Sequence, residues 1–281
     1  MTQGPFCYAL NTSTIRGQGL GLIEMIDVAA EAGYDGIEPW IRELDAYVAE
    51  GGSLARLGAY VADAGLAIPN VIGFFEWAVD DEQRRGAGLA EAQRNLEICA
   101  EIACPRLAAP PFGITETTVG LPELAERYRA LLTLAEGTGV APMVEFWGNS
   151  RSLSRLEEAV YVAMGSGHRD ACVLADIFHM HKGGGAFEAL RLVGPETLGL
   201  VHVNDYPAYP GRELLTDADR VYPGDGVAPF AQILHDLANA GYGGMLSLEL
   251  FNELYWQEDA RTTARTGLAK MQGLVAAHLA Y

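Results

Sequence analysis

The feature that most constrains the fold of this chain is an alternation of short apolar runs with longer amphipathic stretches along its whole length. Short β-branched and aliphatic runs predict strands, and alternating strands and helices are typical of parallel βα units. Eight strand candidates can be counted: FCYALN (6–11), YDGIEPW (34–40), AIPNVIGF (67–74), PRLAAP (105–110), APMVEF (141–146), ACVLAD (171–176), LGLVHVN (198–204) and GMLSLEL (244–250). We therefore predict a (β/α)8 TIM barrel that forms a single domain over residues 1–281.

The segments between the strand candidates have the pattern expected of helices. Residues 22–33 place Leu22, Ile26 and Ala29 on one face and end on a glycine suited to a helix C-terminus. The same Ala-Gly ending before a strand recurs at 64–65 and 240–241. In a barrel of this kind, chemistry collects at the C-terminal ends of the strands, so functional residues are expected there.

Composition and charge limit the partners and the location of the protein. A formal net charge of -18 in 281 residues argues against nucleic-acid and anionic-membrane partners, which would be repelled. The first ten residues lack a basic start followed by a long apolar run, and no segment has the roughly 18 uninterrupted apolar residues of a membrane span. The four cysteines form no CxxC pair, which indicates reduced thiols. A cytoplasmic protein is expected, and a homodimer or a partner subunit is compatible with the sequence.

Four polar residues lie at or beside the ends of the last four predicted strands. They are Glu145 in MVEFWG, Asp176 in VLADIFH, His202 in LVHVND and Glu249 in LSLELFN. Any one of them has an ordinary explanation as a cap or a loop residue. Together they indicate a metal site, because a carboxylate inside an apolar run is buried at a cost that a cation removes. Three carboxylates and one imidazole suit Mn²⁺ or Mg²⁺, with Co²⁺ and Zn²⁺ as further candidates.

The order Glu, Asp-x-x-His, His, Glu on strands five to eight resembles the xylose isomerase-like TIM barrel superfamily, the sugar phosphate isomerase/epimerase proteins. The resemblance covers essentially the whole chain and includes ketose 3-epimerases, inosose dehydratases and 3-dehydroshikimate dehydratases. The segment DIFHMHKGG (176–184) resembles the epimerase segment with a metal-binding Asp and a substrate-contacting His, which implies that role for His179. The segment DRVYPGDG (219–226) resembles a loop with a substrate-contacting arginine, which implies that role for Arg220.

One position departs from the ketose 3-epimerases. In those enzymes a second glutamate follows the fifth-strand metal ligand by six positions and contacts the sugar, whereas this chain has Arg151 there. This difference argues against a simple free-ketose substrate. Arg151 could bind a carboxylate or a different hydroxyl pattern of the substrate, or it could be a solvated arginine at a helix start.

The predicted residues allow a reaction that begins with proton removal next to a carbonyl. A divalent ion on the carbonyl oxygen and a neighbouring hydroxyl stabilises the enediolate that forms. Glu145 and Glu249 come from different strands, so one could remove a proton from one face and the other could return it to the opposite face. That outcome is isomerisation or epimerisation. With a leaving group beta to the carbonyl, an acid such as His179 could protonate it, and the outcome is dehydration or lyase chemistry.

Aromatic and acidic residues near strand ends are candidates for substrate contacts. Trp40, Trp77 and Trp147 could wall a pocket for a polyol, ketose or cyclitol, and Glu38 could bind hydroxyls. The alternative for each aromatic ring is the core, and for Glu38 a hydrogen bond to loop amides.

Two other functions remain open from the sequence. An endonuclease IV-like repair enzyme shares the barrel and metal chemistry, but six histidines and the acidic charge argue against it. A barrel that only binds a sugar, or acts as a subunit of an assembly, is the second, because fold alone does not establish function. The glycines at 17–21 lack the ribose-binding acid of a dinucleotide site, so no nicotinamide cofactor is implied.

Overall fold

Parallel strands in a closed ring form the centre of the protein, which is described here by a computed structural model over residues 4–279. The strands are β1 (Cys7–Asn11), β2 (Gly36–Glu38), β3 (Arg106–Ala109), β4 (Ala141–Glu145), β5 (Cys172–Asp176), β6 (Leu198–Val203) and β7 (Met245–Leu248). Their order in the sheet is β2-β1-β7-β6-β5-β4-β3, and every pair is parallel. The predicted TIM barrel is confirmed.

The third predicted strand, 67–74, is not a regular strand but closes the ring between β2 and β3. Its backbone bridges β2 at Gly36↔Ala67 and reaches β3 at Val71↔Leu107. Continuous pairing is interrupted because Pro39 and Pro69 have no N–H to donate to a neighbouring strand. The Ile72 N–H still donates to the Pro39 carbonyl at 3.0 Å. The prediction of a regular strand here was therefore wrong, although the segment occupies the third position in the barrel.

Helices follow the strands and surround the barrel. They are α1 (Leu22–Ala32), α2 (Ile41–Ala49), α3 (Leu54–Asp63), α4 (Glu82–Glu101), α5 (Leu121–Ala135), α6 (Leu156–Ser166), α7 (Ile177–Gly183), α8 (Phe230–Asn239) and α9 (Ala260–His278). Helix α1 ends as predicted, because Gly33 has a φ of 93° and its N–H donates to the carbonyls of the last turn. In the part of the chain that the structure describes, no helix is long and apolar enough to cross a membrane.

The core consists of two groups of buried side chains. The larger group includes the strand residues Val144, Val173 and Val201, together with the apolar faces of the helices. The smaller group contains Trp40, Ile72, Ala108, Met143, Cys172, Leu174 and Leu200. Alternate residues of a strand point to the same side, so Met143, Leu174 and Leu200 share a side with Glu145, Asp176 and His202. Apolar side chains thus lie beneath the polar strand ends.

Candidate metal centre

The ends of strands β5, β6 and β7 bring three predicted ligands together. Asp176 pairs with His202 in register, and His202 pairs with Ser247, two residues before Glu249. One ligand atom from each of Asp176, His202 and Glu249 lies within 4.8 Å of the other two, and all three residues are buried. This spacing allows three protein atoms to hold one ion.

His202 has one ring nitrogen in a hydrogen bond and one without a partner. Its Nε2 lies 2.9 and 3.1 Å from the two carboxylate oxygens of Glu38. Its Nδ1 is 3.2 Å from Glu249 Oε2 and 3.7 Å from Asp176 Oδ2. Neither contact is aligned as a hydrogen bond, so Nδ1 is a buried atom without a partner. A carboxylate on the far nitrogen is the usual way to orient a histidine that binds a metal through the near one.

Glu38, predicted to bind substrate hydroxyls, is fully buried and its oxygens accept from other protein side chains. Besides His202, it accepts hydrogen bonds from Asn11 Nδ2 (2.9 Å), Asn70 Nδ2 (2.7 Å) and Ser247 Oγ (2.5 Å). Burial alone would raise the pKa of Glu38, but the charge and hydrogen bond of His202 outweigh burial and the pKa is lowered. The structure thus gives Glu38 the task of orienting His202 and leaves no free oxygen for a substrate.

Glu145, the fourth predicted ligand, is buried without a cationic partner. Its Oε1 accepts a hydrogen bond from Trp147 Nε1 at 3.1 Å. Burial raises the pKa of Glu145 to about 8, and the charges of Glu249 and Asp176 add to the effect while His202 opposes it. Glu145 is not part of the group within 4.8 Å, but it lines the same pocket as Glu249. A carboxylate in this environment is stabilised by a nearby cation.

Arg220 joins two of the predicted ligands. Its Nη1 donates to Asp176 Oδ2 and to Glu249 Oε2, each at 2.8 Å, and its Nη2 donates to Asp217 Oδ1 at 2.6 Å. Burial alone would lower the pKa of Arg220, but these three carboxylates raise it. Burial alone would likewise raise the pKa of Asp176, but Arg220, His179 and His202 lower it.

His179 lies beside Arg220 at the start of α7. The Gly148 N–H donates to its Nδ1 at 3.3 Å, and its Nε2 is 3.2 Å from Arg220 Nη2. Burial lowers the pKa of His179, and the charge of Arg220 adds to this effect while Asp176 opposes it. The ring is therefore neutral at pH 7.

A cavity of about 350 Å³ opens in front of these groups. Its lining combines aromatic rings with polar side chains: Trp40, Ile72, Phe74, Thr115, Glu145, Trp147, Asn149, His179, Asp217, Arg220, Glu249 and Phe251. Trp40 packs edge-on against Phe74 and Phe251, with ring centroids 5.3 and 6.0 Å apart. The predicted pocket residues Trp40, Trp147, His179 and Arg220 thus all face one cavity.

Two other predicted substrate residues do not line this cavity. Trp77 is fully buried in the core, where its Nε1 donates to the Pro110 carbonyl at 2.8 Å and its ring packs on Tyr128. The side chain of Arg151 is 64% exposed and lies 3.8 Å from Glu116, in the geometry of a solvated surface residue. Trp77 is thus a core residue and Arg151 a solvated surface residue, which are the alternatives that the sequence left open for them.

The neutral side chains that donate hydrogen bonds to the acidic residues of the site were not predicted from the sequence. Asn204 donates to Asp176 Oδ2 at 2.9 Å, and Asn11 donates to Glu249 Oε1 at 3.2 Å. Asn70 and Ser247 hold Glu38. Asn11 ends β1 and Asn204 follows β6, so a search of strand ends for amides as well as acids could have found these two.

The residues present fit one divalent cation. The donor set is one imidazole with three buried carboxylates. Two observations favour a cation here, namely the buried His202 Nδ1 that lacks a hydrogen-bond partner and the raised pKa of Glu145. Carboxylate-rich sites of this composition accept several divalent metals, so the donor set leaves the metal open.

Comparisons with known proteins agree with the fold. Over 261 residues the chain is 28% identical to the inosose isomerase of Bacillus velezensis, covering 89% of this chain and 90% of that protein. It is 26% identical to the 3-dehydroshikimate dehydratase of Pseudomonas aeruginosa over 258 residues, which are 89% of this chain but 39% of that protein.

A solved structure and a family model complete the comparison. The crystal structure of the IolI protein with a bound zinc atom superposes with a TM-score of 0.90 at 23% identity, covering 98% of this chain and all of that one. At that identity the likeness concerns the fold. The model of the xylose isomerase-like TIM barrel family matches residues 26–272, most of the length of the chain. The chain therefore belongs to the xylose isomerase-like TIM barrel family.

Proposed function

We propose that this protein is a divalent-metal-dependent isomerase or epimerase that removes a proton next to the carbonyl of a sugar or cyclitol. The observation that carries the proposal is the buried His202 Nδ1, which faces Asp176 and Glu249 and has no hydrogen-bond partner. The similarity to an inosose isomerase over 89% of the chain supports the same class of reaction.

Glu145, Asp176, His202 and Glu249 would hold the ion. When bound, the cation supplies positive charge that stabilises the enediolate formed as the proton leaves. Any of Mn²⁺, Mg²⁺, Co²⁺ and Zn²⁺ could serve; the zinc of the IolI protein supports the last of these.

The chain's own residues account for the proton transfers. Glu145 ends β4 and Glu249 follows β7, with two strands between them in the sheet, so they approach a bound ring from different sides. One carboxylate removes the proton from the reacting carbon. The other carboxylate, after taking a proton from water, delivers it to the opposite face or to the adjacent carbon. His179 contacts a substrate oxygen and helps to fix the ring in position, while Arg220 lines the cavity and holds Asp176 and Glu249 in place.

The cavity suits a compact, polyhydroxylated ring. Its volume of about 350 Å³ is at the small end for ligand pockets. The rings of Trp40, Phe74 and Trp147 pack on the apolar C–H faces of such a substrate, while polar groups face its hydroxyls. Together with Arg151 in place of the epimerase glutamate, this favours a cyclic or modified polyol over a simple ketose.

A dehydratase is the second candidate, supported by the similarity to a 3-dehydroshikimate dehydratase. The first step is the same proton removal. His179 then takes a proton from water and passes it to a hydroxyl group beta to the carbonyl, and this group leaves as water while a carbon–carbon double bond forms.

The experiment that tests both candidates incubates metal-loaded protein in D₂O with inososes, ketoses, 3-keto-glycosides and 3-dehydroshikimate, followed by NMR. We expect deuterium at the carbon next to the carbonyl of one substrate, with no unsaturated product. An enone with released water or aglycone would assign the second candidate. Turnover with neither deuterium entry, nor a 1,2-shift of hydrogen, nor an unsaturated product would contradict both.

A matched pair of variants tests whether Glu249 is needed for the exchange. Glu249→Gln should abolish the exchange, whereas Glu253→Gln, an exposed glutamate on the same loop, should keep it. Equal exchange rates in the two variants would remove Glu249 from the mechanism.

A further inference from the structure

A guanidinium that packs on two rings of the candidate pocket takes part in neither the metal site nor the proton transfers. Arg16 lies in the turn Thr12–Gln18, which directly follows β1 and so occupies the same end of the barrel as the site. Its Cζ is 4.1 Å from the centroid of the Trp40 ring and 5.9 Å from that of Phe251. Both rings line the cavity, and Arg16 packs against them without itself being a lining residue.

The hydrogen-bond donors of Arg16 are largely unused. Its Nε is buried and has no hydrogen-bond partner, although the side chain as a whole is 22% exposed. Its contact with Glu43 is long, 3.5 Å from Nη2 to Oε1. Glu43 is committed elsewhere, because its Oε2 accepts from Thr12 Oγ1 at 2.6 Å and from the Trp40 N–H at 3.0 Å at the start of α2. A buried donor without a partner is costly, and a ligand at this position would remove the cost.

The charge around Trp40 also favours an anion. Arg42 lies on the same indole, with its Cζ 4.9 Å from the ring centroid, so two guanidinium groups share one aromatic ring. This local positive charge occurs in a chain with a net charge of -18. Arg220 differs from Arg16, because its donors are already taken by Asp176, Asp217 and Glu249. Arg16 thus offers an unpartnered Nε beside a second guanidinium, with Glu43 as its own carboxylate contact.

We propose that Arg16 recognises an oxyanion, a carboxylate or a phosphate, carried by the substrate. The planar guanidinium matches the two oxygens of such a group, and stacking on Trp40 holds it in place. This inference rests on the proposed function only in taking the 350 Å³ cavity as the substrate site. It narrows the substrate class to an acidic polyol ketone, with the carbonyl at the metal ligands and the anion at the rim.

The test measures binding without turnover, by quenching of tryptophan fluorescence in the metal-loaded protein. Two probe pairs compare an anion with a neutral counterpart: shikimate against its methyl ester, and fructose 6-phosphate against fructose. We expect one anion to bind about tenfold tighter than its neutral counterpart. A preference in the first pair identifies a carboxylate site, and a preference in the second identifies a phosphate site.

Variants separate Arg16 from the metal as the source of the preference. Arg16→Gln should remove the preference and leave the affinity for the neutral probe near wild type, Arg16→Lys should retain part of it, and the exposed Arg42→Gln should retain most of it. Circular dichroism and metal content check that each variant folds. A preference that persists in Arg16→Gln, or no preference in either pair, would overturn the proposal. Failure of the proposed function is a separate result, namely the absence of exchange or elimination in D₂O.

Discussion

The charge state of Glu145 should change when a metal binds. Burial raises its pKa to about 8 in the metal-free protein, so the side chain is mostly protonated at pH 7. A metal ligand must be a carboxylate, so binding expels that proton. We predict that at pH 7 the wild type releases about one proton more per metal than Glu145→Gln does. The difference should shrink as the pH rises through 8, because the proton is then already lost.

Titration calorimetry of chelator-treated protein, in two buffers with different ionisation enthalpies, measures this release. His202 also loses a proton on binding, because Glu249 and Glu38 raise its pKa well above the usual value against the effect of burial. The comparison between wild type and variant cancels that contribution. Equal proton release in the two proteins would show that Glu145 is not a ligand.

Single functional residues could be identified from the sequence where their chemistry conflicts with the local pattern. Glu145, Asp176 and Glu249 could be found because each is a carboxylate in or beside an apolar run. The role of Glu38 could not be found, because its donors come from separate segments, the most distant 209 positions away at Ser247. Trp77 was misassigned for a related reason: a tryptophan after a strand looks the same in sequence whether it faces a pocket or the core.

Among the structural elements, the segment after Arg220 is held by a single carboxylate. Asp205 is fully buried, and its oxygens accept from the backbone N–H groups of Tyr206, Gly224, Gly226 and Ala228 at 2.8–3.0 Å. Its own backbone pairs with Val221, next to Arg220. Gly226 is required because a Cβ there would lie 2.2 Å from the Tyr206 carbonyl oxygen. Asp205 therefore positions Arg220 through the backbone.

We predict that Asp205→Asn lowers turnover by about tenfold or more while metal content stays near wild type. The amide group of asparagine presents N–H donors to backbone N–H groups, so the segment loses its anchor and stability falls by about 1–3 kcal/mol. Asp225→Asn is the control, because Asp225 lies in the same segment but pairs with Lys270 at the surface. Steady-state rates with metal analysis provide the measurement, and equal rates in the two variants would contradict the assignment.

Periodicity predicted the elements well where local sequence decides the backbone. Helix α1 begins and ends within a residue of its prediction, because a glycine fixes its C-terminus. The third strand was over-predicted, because its apolar run contains Pro69 and faces a partner interrupted by Pro39. Long-range pairing decided that segment, and periodicity carries no information about it.

For the whole molecule, Arg220 and a bound cation neutralise the same carboxylates. Without metal, Arg220 balances Asp176 and Glu249 from 2.8 Å. We predict that Arg220→Gln in chelator loses about 3 kcal/mol or more of stability, because buried charges lose their partner. With metal the loss should be smaller, so added Mn²⁺ should raise the Tm of the variant more than that of the wild type.

Thermal unfolding with chelator and with Mn²⁺ measures both effects, with Arg212→Gln as an exposed control. The extra gain in Tm should be about 6 °C or more for a chain of this size. An equal gain in Tm on adding Mn²⁺ in the wild type, Arg220→Gln and Arg212→Gln would contradict the prediction that Arg220 and the metal neutralise the same carboxylates.

The fold of the whole chain could be predicted because alternating periodicities allow few architectures. The substrate could not, since it depends on which side chains meet at the barrel mouth. Arg16 illustrates the limit: the sequence places it after a strand, but only the three-dimensional arrangement brings it over Trp40 with a free Nε.

The hydrogen bonds of Glu38 have a consequence for the order of assembly. All four proposed ligands lie in the second half of the chain, yet the ring of His202 is oriented by Glu38 from the first half, 164 positions earlier. Asn11 and Asn70, also from the first half, hold Glu38 in turn. The second half alone therefore contains the four ligand residues but lacks the side chains that orient His202. We therefore expect the ion to bind late in folding, after β1 and β2 have paired with the rest of the barrel.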